Sequence, residues 1–82
     1  MNSANQLELI SECRVPQRGG QLYEILMYLE RGGHLTVAKA LSELGVYALS
    51  QRVGDLKRDY GWPIKDRFIE TAGGARVKEY WL

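Results

Sequence analysis

Residues 44–64, LGVYALSQRVGDLKRDYGWPI, constrain the fold of this chain more than any other stretch. Val46, Leu49, Val53, Leu56 and Tyr60 recur at helical spacing, so one stripe of the segment must lie against a core. Gly61-Trp62-Pro63 then ends the helix, because proline has no amide to donate and pushes the residue before it toward extended backbone. At about 100° per residue, the face opposite the stripe carries Tyr47, Gln51, Gly54 and Arg58, flanked by Ser50, Asp55 and Lys57.

The remaining sequence supplies what that helix packs against. Leu22, Ile25, Leu26 and Leu29 predict a first amphipathic helix over residues 17–30, with Arg31 at its negative end and Gly32-Gly33 as a left-handed stop. Leu35 is a candidate short strand. Thr36 reads as the N-cap of a second helix, VAKALSEL, with Val37, Leu41 and Leu44 inward and Gly45 at its end. The apolar spacing after Gly45 starts the third helix almost at once. IKDRFIET and RVKEYWL, around AGGA, predict a hairpin whose loop contains Gly73, Gly74 and Ala75. The expected register sets Phe68 opposite Tyr80 and Glu70 opposite Lys78. The order of helix, short strand, two helices and two strands is the winged-helix arrangement. The expected fold is therefore α+β, a winged helix-turn-helix of three helices with a C-terminal β-hairpin wing. Leu22, Ile25, Leu26, Leu29, Leu41, Leu49, Val53 and Leu56 are the expected core. Residues 17–82 form the expected domain, and residues 1–16 an N-terminal tail or short strand.

Composition narrows the function. With 82 residues the chain supports one small domain. It has one cysteine, Cys13, and one histidine, His34, which provide neither a disulfide nor a metal-ligand cluster. No nucleophile–base pairing or phosphate-binding glycine loop is present, so an enzyme is the least favoured class and no cofactor is expected. No apolar run is long enough to span a bilayer, and the first residues lack the pattern of a secretory signal; a cytoplasmic location, in a bacterial or phage-infected cell, is expected. The net charge is only +1, but residues 52–78 hold seven basic side chains against four acidic, while residues 1–51 hold four against five. That tilt permits nucleic-acid binding without requiring it.

The outward face of the third helix suits a DNA groove. Gln51 can engage adenine bidentately, Arg58 guanine or phosphate, and Tyr47 and Ser50 phosphate, while Gly54 would admit close backbone approach. Gly74 with Arg76 and Lys78 would form a wing tip of small and cationic residues, and Thr36 marks a helix N-terminus open to phosphate. Each feature has a plainer counterpart: a solvated helix face, an ordinary glycine turn, a simple cap. Trp62 and Trp81 read as packing groups, His34 as a surface loop residue, and Arg52 as a partner for Glu43 or Asp55.

LTVAKALSELGVYALSQRVGDLKRDYGWPI followed by a hairpin ending RVKEYWL resembles a family of small helix-turn-helix domains frequent in bacteriophage and prophage genomes. The likeness lies in Gly45-Val46, Leu49, Arg52-Val53, Asp55-Leu56-Lys57, Gly61, Pro63-Ile64, Tyr80 and Leu82, and covers residues 20–82. It implies a winged-helix, DNA-binding protein with the third helix as reader; the leading expectation for its role on double-stranded DNA is a small transcriptional regulator, excision factor or similar phage accessory protein. The short spacing after Gly45 departs from repressor-type domains, so base-reading positions cannot be carried over. Specific action is expected to need two copies of the chain, paired in solution or on DNA, with residues 1–16 as a candidate contact. The rival reading is a winged-helix module that binds a host or viral protein, which the near-neutral charge and the exposed Tyr47 favour. No membrane partner is expected.

Overall fold

The computed structural model describes residues 14–82, and its elements run α1 (Gln21–Glu30), α2 (Val37–Leu44), α3 (Leu49–Asp59), β1 (Lys65–Glu70) and β2 (Arg76–Trp81). The three helices enclose a core of Ile25, Leu26, Leu29, Leu35, Ala40, Val46, Leu49, Val53 and Leu56, which Ile64 and Tyr80 close from the hairpin side. The expected winged-helix order of elements is the observed one. The expected tail or strand over residues 1–16 lies, for residues 1–13, outside the described residues, as does the proposed pairing contact there.

The first helix starts four residues later than expected. Residues 18–19 form a turn, closed by a hydrogen bond from the Gly20 amide to the Gln17 carbonyl at 3.4 Å, and Gly20 is the N-cap of α1, with extended backbone and no side-chain cap. The structure places Arg14 at the far end of α3. Its amide and its Nη2 donate to the carbonyls of Tyr60 and Asp59, both at 2.7 Å. A cation there answers the unpaired carbonyls and the negative end of the helix together. Trp62 Nε1 completes the seam by donating to the Arg14 carbonyl at 2.6 Å, so Trp62 does pack.

The second helix is rotated from its expected setting. Thr36 caps it as foreseen, its hydroxyl accepting from the Lys39 amide at 3.2 Å. Yet Val37 and Leu41 are 46% and 43% exposed, Leu44 is half-buried, and the residue turned fully inward is Ala40. Anchors at both ends explain the rotation. Leu35 exchanges two backbone hydrogen bonds with Tyr80, at 2.9 and 2.8 Å, reducing the expected strand to a single bridge. Val46, fully buried, closes the other end by donating to the Ala40 carbonyl at 3.1 Å. Between these pins a small residue admits close approach, and the larger Val37 and Leu41 swing out. Leu22, also expected in the core, is only partly buried against it.

Gly45 ends α2 in the left-handed region at φ 69°, where any side chain would be strained. Four residues, Gly45–Ala48, separate α2 from α3, so the third helix does not begin at once. Val46 earned its place in the apolar stripe by sitting in this turn, not by being helical.

The hairpin forms with a five-residue connection, Thr71–Ala75, held by hydrogen bonds from Thr71 N to Ala75 O at 2.8 Å and from Gly74 N to Thr71 O at 2.9 Å. Its register differs from expectation by two residues: Phe68 faces Lys78, Tyr80 faces Asp66 and Glu70 faces Arg76. A two-residue slip leaves every side chain on its expected face and moves only its partner. Tyr80 therefore still meets the core, and Phe68 moves out along the wing.

Candidate nucleic-acid interface

The base of the wing is fixed from both faces. On one, the Tyr80 and Ser50 hydroxyls share a hydrogen bond of 2.9 Å, tying β2 to the first turn of α3. On the other, Glu79 Oε1 accepts from Arg67 Nε at 3.0 Å, with Arg67 Nη2 at 2.9 Å and His34 Nδ1 at 3.3 Å. These bonds, Arg67 first, hold the Glu79 carboxyl below the ordinary carboxylate range, against a smaller desolvation effect. His34 stacks on Trp81 at 5.5 Å, with the Arg67 guanidinium over the same ring at 5.0 Å. His34, in the α1–α2 loop with its side chain 40% exposed, thus also links that connection to the wing.

On α3, Gln51, Gly54 and Arg58 follow one outward line a turn apart, Gln51 and Arg58 exposed and Gly54 half-exposed. Arg58 folds back along the helix, with Nη2 on Asp55 Oδ1 at 2.8 Å and Nε 3.7 Å from Asp59 Oδ1. Arg52 Nη2 reaches the other oxygen of Asp55 at 3.1 Å, one of its two expected partners; Glu43 instead accepts from the Tyr28 hydroxyl at 3.2 Å. Surface pairs of this kind are worth about 0–1 kcal/mol, so Arg58 can exchange Asp55 for an external anion at little cost. Tyr47 is not on α3. It stands in the α2–α3 turn, 77% exposed, two residues before the helix begins. Ala48 offers α3 no side-chain cap, which leaves its first amides open to an outside acceptor.

Thr36, Ser50, Arg76 and Lys78 are brought together around one groove of about 540 Å³ between the starts of α2 and α3 and the wing. Gln51, Gly54 and Arg58 lie further along α3, and Gly74 sits at the hairpin tip at φ 87°, all outside this groove. The groove also includes Val37, Ala38 and Phe68, which the sequence did not mark as surface contacts. Phe68 is 57% exposed, with the Arg76 guanidinium 4.9 Å and Lys78 Nζ 5.6 Å from its ring centre. The signal that could have found it is Phe68 on a two-stranded wing beyond the reach of the helices, once the register is right. Among the described residues, no cluster of histidine, cysteine and carboxylate side chains is arranged to hold a metal, and no helix is long and apolar enough to cross a membrane.

The family model of the winged helix-turn-helix domain matches residues 20–82, more than half of the chain. The protein belongs to that family. No curated protein and no solved structure matches it.

Proposed function

We propose that this winged helix-turn-helix protein binds double-stranded DNA, with α3 lying in the major groove and the wing beside it, as a small bacterial or phage regulator or accessory factor without catalytic activity. The observation that supports this reading most is the line Gln51, Gly54, Arg58 on the exposed side of α3, next to a wing carrying Arg76 and Lys78. Gln51 would read a base edge, and Arg58, freed from Asp55, a guanine or a phosphate. Thr36, Tyr47 and Ser50 would position the backbone of one strand, while Gly74, Arg76 and Lys78 would follow phosphates or enter the minor groove. One such module buries only about 600–1,000 Å² against DNA, so two copies acting together are part of the proposal. The cytoplasm is the compartment where this activity would be exercised.

The rival, a module for binding another protein, is favoured by one observation: Val37, Leu41 and Tyr47 are large apolar side chains left exposed. Selection of bound sequences from a pool of random duplexes separates the two. Enrichment of a motif supports DNA reading, and a pool that stays random removes it.

A further inference from the structure

Asp55 stands among the residues assigned to DNA, where a bare carboxylate would repel phosphate. It is one turn on from Gln51 and three residues before Arg58, which places it on the same side of α3 as both. Its two oxygens are used separately. Oδ1 accepts from Arg58 Nη2 at 2.8 Å, and Oδ2 takes Arg52 Nη2 at 3.1 Å. The Asp55 side chain is 19% exposed, against 68% for Arg58.

Duplex DNA would treat the two arginines differently. Arg58, on the outward line, is the one free to move onto guanine or phosphate. Arg52 is 33% exposed, lies toward the edge of the core stripe and would stay on Oδ2. The carboxylate is then still held in place and still partnered by a cation, but Oδ1 is uncovered in the groove. An acceptor that loses both its partner and water needs a new donor. In the major groove cytosine offers its N4 amino group alone. Adenine N6 comes with the N7 acceptor beside it, and guanine and thymine present carbonyl oxygens. We propose that Asp55 is a specificity-determining residue, its Oδ1 accepting from the N4 amino group of one cytosine once Arg58 has moved onto DNA. The proposal rests on the DNA-binding reading and deepens it, naming a base that the site must contain within reach of the middle of α3.

The test removes one amino group at a time. In a duplex obtained by selection, each cytosine in turn is replaced by 2-pyrimidinone, which lacks only that group. Binding of the full chain is followed by fluorescence anisotropy. The expected result is a loss of about tenfold at one cytosine, as for a lost charge-assisted hydrogen bond, with the other cytosines serving as controls for the weakened base pair. That loss should shrink to about threefold in Asp55→Asn, whose neutral amide oxygen is a weaker acceptor, and vanish in Asp55→Ala. Melting curves verify that the variants fold, and the isosteric Asn variant carries the comparison should Asp55→Ala unfold. A selected site in which no cytosine responds, or a local loss of undiminished size in the variants, overturns the inference while DNA binding stands. Failure to bind any duplex overturns the DNA-binding reading itself.

Discussion

Replacing Gly54 by alanine separates a helix that faces only water from one that meets DNA. Gly54 is inside α3 with ordinary negative φ, and a Cβ placed there would touch only Arg58 Nη1, at 3.7 Å, an unstrained contact. Nothing in the fold requires glycine at this position. Alanine should therefore raise stability by about 0.5–1 kcal/mol through backbone entropy. For a domain of this size that is a rise of about 2–8 °C in Tm by circular dichroism. If the backbone of α3 closely approaches duplex DNA at Gly54, the added methyl is a clash worth about 1–3 kcal/mol, and anisotropy titrations should show affinity falling about tenfold or more. The Arg58–Asp55 pair is not crowded by the new methyl, so a disturbed Arg58 could not account for that loss. A more stable variant with undiminished binding would refute the close approach of this helix face.

Leu49→Ala empties a fully buried site and should destabilise the domain by about 2–4 kcal/mol in urea unfolding, with a cooperative transition retained. Gln51→Ala should relax sequence preference at one base pair, costing about 1–3 kcal/mol at the selected site, whereas Arg76→Ala should weaken all duplexes alike and flatten the salt dependence by about one counterion. Glu79 is held below the ordinary carboxylate range by Arg67 and His34, so its contribution to the wing is complete above that range and is lost as pH falls through its lowered value. Thermal melts between neutral and acid pH should fall less steeply for Glu79→Gln than for the parent; parallel profiles would mean that these contacts carry no stability.

The sequence made α1 and α3 legible because their apolar stripes are long enough to define a face. Ile25, Leu26 and Leu29 on one, and Leu49, Val53 and Leu56 on the other, are buried as expected. The second helix was misread because eight residues offer two competing stripes, and the larger side chains of Val37 and Leu41 outweighed Ala40 on paper. What decides between the stripes is not local: it is the pairing of Leu35 with Tyr80 and the burial of Val46 beyond the helix. The wing register was missed for a similar reason. Alternation fixes which face a residue takes but is blind to a slip of two, and the loop hydrogen bonds of Thr71 set the remainder. The outward line of α3 was visible in the helical wheel. The displacement of Tyr47 into the turn was not, since a four-residue turn carries a helical spacing across it unbroken. Nor was the groove beside the wing, which Val37 lines because α2 turns it outward.

The salt dependence of duplex binding by the unmodified chain tests the central claim most directly. Arg58, Arg76 and Lys78 are the cations assigned to phosphate or base contact. If each displaces one counterion, log Kd should rise with log salt at a slope of about 3 per copy, and about 6 for two copies acting together. Kd measured from low to physiological salt on a selected duplex should follow that line, with the slope dropping by about one per copy in Arg76→Ala. A duplex affinity that barely changes with salt, or no measurable binding at the lowest salt, would contradict DNA recognition by α3 and the wing.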